Sequence, residues 1–352
     1  MATYYNPKII TNNIEFSVDA ANVKSWNGPT PLGSPYGYVS GGASPSSPSF
    51  TERIDFSNDN ADPLIRGNLS RTPSYGIRGT NNRDYGYLGG GSPGGGKSLM
   101  DRMDYSNDSV DTVDKGSLNV SRSQHGATGT LSYGYFAGGW GPGANEKSSV
   151  DRVDYSNDTA TAAPKGPLAR GRARFGTIGN QSYGYFAGGE WSTSPGRKSV
   201  VERFDFSNDT SSPADKGPLT TTAVHAHGAG NASYGYFGGG YDGSPSSSTE
   251  RTTVDRIDYS SDTTACAAKG PLIVAKWGRI TTGDINYGYW CGGVSPSVKN
   301  IDRIDFSNDT ATASSKGALS AARYSGAGHG TRFQAIPNTT PLWKDMTGKG
   351  HD

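Results

Sequence analysis

Little in this chain can hold a fold together covalently or by sheer apolar content. Only two cysteines, Cys266 and Cys291, occur among 352 residues, which excludes a disulfide framework. Ala162 stands in a sister segment where Cys266 stands, and Ala187 where Cys291 stands. Both thiols are therefore expected to be small buried hydrophobes rather than redox or metal groups. Hydrophobic residues reach 32%, a level that in an unpatterned chain means disorder. Neither sign of charge is in surplus: the formal net charge of +1 offers no broad attraction to nucleic acid or anionic lipid. No run approaches the roughly 20 apolar residues of a membrane helix. The opening MATYYNPKIITNNIEF lacks the basic and apolar regions of a secretory signal. A soluble protein with no nucleic-acid partner and no membrane insertion is expected.

What the chain does have is patterned. Its 51 glycines, 20 tyrosines and 11 phenylalanines recur at fixed intervals. Aromatic rings build a core from few residues because each buries roughly 150–250 Å², and glycines permit tight turns between strands. Three landmarks appear six times in the same order. The first is Y-G-Y before a glycine pair, starting at Tyr36, Tyr85, Tyr133, Tyr183, Tyr234 and Tyr287. The second, [DE]-R-x-D-[YF]-S-[NS]-D, has its arginine at Arg53, Arg102, Arg152, Arg203, Arg256 and Arg303. The third, [KR]-G-x-L, starts at Arg66, Lys115, Lys165, Lys216, Lys269 and Lys316.

The spacing between landmarks sorts rigid connections from free ones. Thirteen residues separate the motif arginine from the following basic residue in every copy, and eighteen, once nineteen, lead on to the next Y-G-Y. Between Y-G-Y and the arginine the distance varies from sixteen to twenty-two. Each landmark reads as a strand. Residues 182–189 are aromatic and end in glycines. Residues 149–155 alternate, with Val150, Arg152 and Asp154 on one face and Asp151, Val153 and Tyr155 on the other. S-N-D-T supplies hairpin-turn chemistry, T-A-T-A-A a short return strand, and residues 174–180 a fourth strand. Four antiparallel strands per period of about fifty residues is a propeller blade.

The pattern resembles the kelch repeat: Gly188-Gly189 and the Tyr155 hairpin match it, whereas Thr161 stands at the kelch tryptophan. The resemblance implies an all-β, six-bladed kelch-like propeller over residues 30–336, with strands a to d running outward from the axis. Tyr36 opens a b strand, so the first blade lacks its own a strand. Residues 322–331 supply one more, expected to pair with the Tyr36 strand and close the ring without a free edge. The b–c loops, which vary in length, then share one face with the d–a connections, opposite the face where the chain enters and leaves.

The flanks carry a second resemblance. F-S-V-D-A-A-N-V-K-S-W-N-G, within residues 1–29, is similar to the opening strand of a concanavalin-like (laminin-G-like) sandwich of viral surface and tail proteins. T-T-P-L-W-K-D-M-T-G-K-G-H-D, within residues 337–352, is similar to the next segment of that domain. A domain whose ends are adjacent can be inserted into a loop of another. The resemblance implies a virion surface or tail protein whose partners are other virion proteins or copies of itself. Its propeller loops would face a host-surface glycan or protein.

Catalysis finds few candidates. Of His125, His225, His227, His329 and His351, only His225 and His227 are close in sequence, and no third ligand accompanies them; no metal and no cofactor is expected. S-N-D-T lacks the glycine and tryptophan of a sialidase Asp-box, and neither cysteine has the neighbours of a copper oxidase centre. The repeated acid–arginine motif recurs in every blade, whereas a catalytic site needs one unique constellation. Its arginines are expected to join strands or adjacent blades through carboxylates. Function is better sought where the repeats differ: Trp140, Glu190, Trp191, Tyr241 and Asp242 in the b–c loops, suited to sugar rings or protein hot spots. Arg170, Arg172 and Arg174, expected on one face of a d–a segment, suit an anionic sugar or phosphate. The leading expectation is non-enzymatic host-surface recognition, ahead of a protein-interaction scaffold and, last, a glycan hydrolase.

Overall fold

The computed structural model describes residues 35–330 apart from 44–47, 72–74, 93–95, 144, 192–197 and 243–248. The expected sandwich segments at 1–29 and 337–352 lie outside the described residues. Six four-stranded antiparallel sheets form the ring, each one blade. In blade four the strands are Gly176–Gly179 (a), Tyr183–Ala187 (b), Val201–Asp205 (c) and Ala214–Lys216 (d). The six a strands touch their neighbours all the way round. Blade one is closed as expected. Ala327–Gly330 pairs with Tyr36–Ser40, His329 opposite Tyr38, and the sheet continues through Phe50–Asp55 and Leu64–Asn68.

Two local assignments differ from the sequence reading. The Y-S-N segment after the c strand is one turn of 3-10 helix in blades two to six rather than a plain hairpin turn. The preceding aspartate caps this segment in every blade, including blade one, where it remains a plain turn. Asp154 accepts from the backbone N–H and hydroxyl of Ser156 at 2.9 and 2.7 Å, which caps the turn. The d strand also lies later than T-A-T-A-A: in blade three it is Ala163–Lys165, with Lys165 opposite Val150. That register aims the lysine at the neighbouring blade.

Both faces of each blade are buried against neighbours, so the alternation within a strand divides its side chains between two interfaces. Val150 packs with Phe175 and Phe186 of blade four, and Val153 with Tyr87 and Met100 of blade two. The glycine of [KR]-G-x-L is required by this closeness. A Cβ on Gly116 would lie 2.0 Å from the Ala160 carbonyl oxygen of the next blade. Cys266 and Cys291 are buried free thiols; burial pushes the Cys266 thiol up to about 12, leaving it protonated and inert.

The three landmarks converge on one atom group. In every blade the motif arginine reaches the last aspartate of S-[NS]-D in the following blade. The six pairs are Arg53–Asp108, Arg102–Asp158, Arg152–Asp209, Arg203–Asp262, Arg256–Asp309 and Arg303–Asp59, at 2.7–2.8 Å. The second tyrosine of Y-G-Y donates its hydroxyl to the same Oδ2 at 2.8–3.1 Å. The basic residue of [KR]-G-x-L takes the other oxygen at 3.0–3.2 Å. The first tyrosine lies under the arginine, 4.0–4.3 Å from ring centre to guanidinium carbon. Burial alone would raise these carboxyls. Hydrogen bonds and charge from the tyrosine, arginine and lysine more than offset it, and Asp59, Asp158, Asp209 and Asp309 are held below the ordinary value.

The acid before each motif arginine does different work. Asp151 and Glu202 are fully buried and pair with Arg122 at 2.9 Å and Arg172 at 2.6 Å, arginines that are themselves fully buried. Glu52–Arg323 and Asp302–Arg279 repeat the arrangement. In blade five Ala223 stands where an arginine is needed, and Arg251 of the b–c connection meets Asp255 at 3.5 Å instead. Burying such a carboxylate without a partner would cost several kcal/mol, so each blade supplies a cation from whichever segment can reach.

Two stability outcomes follow from this packing. Asp209→Asn strands Arg152 and Lys165, which are 26% and 15% exposed. The expected loss in urea unfolding is about 2–3 kcal/mol, below the 3–5 typical of a fully buried pair because both cations can partly rehydrate; a loss no larger than that of an exposed ion pair would refute the staple. Burial also holds His329 at about 3, with its ring nitrogens against Ser40 Oγ and Tyr105 Oη at 2.9 and 3.0 Å. The unfolded chain binds a proton on this histidine from about pH 6.5 downward while the folded one does not. Its contribution is therefore intact above 6.5 and lost toward pH 3, at about 1.4 kcal/mol per pH unit. His329→Gln is expected to flatten the fall of the unfolding free energy across that window, and an unchanged slope would contradict a neutral His329.

Candidate functional site

The b–c loops and d–a segments share one face, and isolated bridges tie them together: Ser123 with Trp140, Ala173 with Glu190, Val224 with Tyr241, Trp277 with Val294. The glycine pair before each loop makes the bend. Gly188 and Gly189 have φ of +68° and +93°, and a Cβ on Gly188 would sit 2.3 Å from the Ala223 carbonyl oxygen.

Beneath the loops lies a ring of left-handed residues. Gly76, Gln124, Arg174, His225, Gly278 and Ser325, one from each blade, have φ between +51° and +73°. Their backbones are linked around the axis. Gln124 donates to Gly76, Arg174 to Gln124, His225 to Arg174, Ser325 to Gly278 and Gly76 to Ser325, all at 2.7–2.8 Å or, for Arg174, 2.9 Å. Four of the six residues carry side chains in a conformation that costs roughly 1–2 kcal/mol each. A collar this strained is over-determined by the ring closure around it.

An aromatic cluster surrounds the collar. Tyr75 meets Tyr324 edge-on at 5.7 Å, Tyr324 meets Trp277 at 5.8 Å, and Trp277 meets Tyr241 at 6.0 Å. The Tyr241 hydroxyl donates to Glu190 at 3.0 Å, and Glu190 receives Arg174 Nη1 at 2.9 Å. The Arg174 guanidinium lies 4.0 Å over the Trp140 ring and donates Nε–H to Gln124 at 2.6 Å. It also offsets part of the burial that pushes the Tyr75 hydroxyl up. Tyr75, Trp140, Trp277 and Tyr324 are partly exposed. His225 is 1% exposed under the cluster, 4.8 Å from Trp277. Burial first, then the Arg174 charge, holds it well below its ordinary value and therefore neutral.

The residues named from sequence thus divide into separate places. Trp140, Arg174, Glu190 and Tyr241 come together around the axis. Trp191 lies apart, between Arg170, Arg172 and Lys198 at 4.9, 5.3 and 5.1 Å. Asp242 closes its own loop by accepting from Thr249 N–H at 2.9 Å. Arg170, Arg172 and Arg174 do not form one arginine face. Arg170 is forked on Asp215 at 3.0 and 3.2 Å, Arg172 is fully buried on Glu202, and the positive φ at Arg174 turns it away from the strand alternation. The sequence reading missed Tyr75, Trp277 and Tyr324. Counting from [KR]-G-x-L would have found them. Trp277 and Tyr324 fall eight residues after Lys269 and Lys316, and Tyr75 nine after Arg66, at one repeat position that is aromatic in these blades alone.

Among the described residues no group of three or more His, Cys, Asp or Glu side chains could hold a metal ion. No described helix is long and apolar enough to cross a membrane.

The fold and this face define a six-bladed β-propeller with a non-repeating aromatic centre. No family model and no curated protein matches the chain. Among solved structures it is similar to one titled "Structure of YjhT", with a TM-score of 0.66 and 11% identity over 81% of this chain and 98% of that one. At that identity the likeness is one of fold.

The collar makes its own stability forecast. Ser325 has φ of +53°, and its buried hydroxyl has no hydrogen-bond partner, while Gly76 and Gly278 fill the same repeat position. Ser325→Gly should be more stable than Ser325→Ala by about 1 kcal/mol, because only glycine relieves the backbone. Equal unfolding free energies for the two variants would remove the strain argument.

Proposed function

We propose that this chain is a non-enzymatic recognition propeller whose loop face binds a host-surface ligand, a glycan ring foremost, on the axial aromatic cluster. The observation that carries the reading is the departure from repetition. Tyr75, Trp140, Trp277 and Tyr324 bring partly exposed rings from four blades to one centre, beside the Arg174–Glu190 pair. Sugars suit such a surface because their apolar C–H faces stack on aromatic rings while hydroxyls take charged donors and acceptors. The acid–arginine arrays are already engaged in ion pairs within and between blades.

The repeats read as divergent kelch repeats. The virion setting, on a surface or tail, is supported by the resemblance of the terminal segments to a viral concanavalin-like sandwich interrupted by the propeller.

Glycan-array binding of the full chain is the test, followed by affinity measurement on the best glycan. Trp277→Ala and Trp140→Ala should each weaken binding about tenfold or more, equivalent to about 1.4 kcal/mol, whereas Trp191→Ala, outside the cluster, should change it little. Absence of glycan binding would favour the protein-interaction scaffold. Bound glycan unaffected by both axial variants would move the site elsewhere on the propeller.

A further inference from the structure

Below the collar the axis of the ring holds a cavity of about 60 Å³ lined by the a strands of all the blades, including Arg78, Thr80, Thr128, Thr177, His227 and Thr281. That is room for a few waters, each needing at least roughly 10–15 Å³ of such space, or one small ion. The lining contains no aspartate or glutamate, and among the described residues no carboxylate pairs with Arg78, unlike the arginines that fill the blade interfaces. Arg78 is 8% exposed. Its Nη1 donates to the Ile77 carbonyl at 2.9 Å and weakly to the Gly326 carbonyl at 3.5 Å, and its Nη2 has no partner. His227, 7% exposed, likewise leaves Nε2 unpartnered.

These two residues occupy one repeat position, two residues past the left-handed collar residue. The other blades place Gly126, Gly176, Ile280 and Ala327 there. Arg78 belongs to blade two and His227 to blade five, which stand opposite each other in a ring of six. A guanidinium withdrawn from water without a counter-charge is costly. The surroundings register its field: after burial, Arg78 is among the charges that press His125, His225 and His227 toward the neutral form. Burial in turn lowers Arg78 itself to about 10, so it remains cationic at neutral pH.

From this geometry we propose that the axial cavity is a binding site for a single small monovalent inorganic anion, chloride being the natural occupant, held by Arg78 Nη2 with His227 across the channel. The anion would neutralise the buried guanidinium and brace the a strands from inside the ring. This site is separate from the aromatic cluster above the collar and does not depend on what that cluster binds.

Two measurements test it. Crystals of the full chain grown in sodium bromide should show an anomalous difference peak on the propeller axis within hydrogen-bonding distance of Arg78 Nη2. In solution, thermal unfolding is compared in sodium chloride and in sodium gluconate at equal ionic strength, gluconate being a much larger organic anion. The wild-type midpoint should be higher in chloride and climb by an equal step for each tenfold rise in chloride once the site saturates, and Arg78→Met should lose that chloride-specific rise. A bromide map without an axial peak overturns the proposal, as does an Arg78→Met protein that keeps the full chloride response. If Arg78→Met does not fold, the bromide map of the wild-type protein decides alone.

Discussion

One carboxylate per blade interface organises this molecule. The last aspartate of S-[NS]-D sits just past the turn that follows a c strand and receives an arginine, a tyrosine hydroxyl and a lysine or arginine, all three from the preceding blade. Because the acceptor is in the next blade and the donors are in the last, the interaction has a direction. Repeated six times it must come back on itself, and Arg303, Tyr289 and Lys316 of the sixth blade do reach Asp59 of the first. The landmark spacing expresses this requirement. The thirteen residues from arginine to basic residue span the c–d hairpin that puts both cations on one target, so that length cannot drift. The b–c loop takes no part in the staple and is free to vary.

The same logic explains a core so poor in aliphatic residues. A propeller blade presents two flat faces, each needing to be filled against a neighbour. Here the rings of Y-G-Y and D-[YF]-S do much of that filling. Tyr185 stacks on Tyr259 at 5.0 Å and Tyr236 on Phe306 at 4.6 Å, while the hydroxyl of each middle tyrosine is used by the staple. Buried arginines fill what aliphatic side chains would elsewhere. A charged core filler is tolerable only when its carboxylate is in place, and Arg251 replacing the cation missing at Ala223 shows the pairing kept although its source in sequence changes.

Blade number and closure by the residues before Gly330 were legible in the sequence because each is periodic, and so was the pairing of the motif arginines with carboxylates, between strands or between blades, which the structure places between blades. The identity of the arginine's partner was not, since Arg152 sits among nearer acids in its own motif and reaches Asp209, fifty-seven residues away. Nor could alternation be trusted at Arg170, Arg172 and Arg174. A positive φ at Arg174 breaks the period of two on which that reading rested, and a non-glycine residue gives no local sign of such a conformation. Trp140 and Tyr241 were visible as irregular aromatics beside a regular motif. Tyr75, Trp277 and Tyr324 were hidden because they lie in segments that read as ordinary strand starts.

Pseudo-symmetry then limits where function can reside. Any feature present in every blade is subject to the packing demands of six equivalent interfaces, and changing it changes them all in kind. A ligand with a single orientation needs positions that closure does not constrain, and such positions gather at the axis, where one residue from each blade meets the others. The collar position is Gly, Gln, Arg, His, Gly and Ser around the ring; the residue before it is Tyr75, Ser123, Ala173, Val224, Trp277 and Tyr324; two residues past the collar it is Arg78 and His227 among glycine, alanine and isoleucine. Three successive layers thus break the sixfold pattern, while the staples at the rim keep it. Asymmetry confined to the centre of a symmetric frame is what a rigid scaffold supporting one specific site requires.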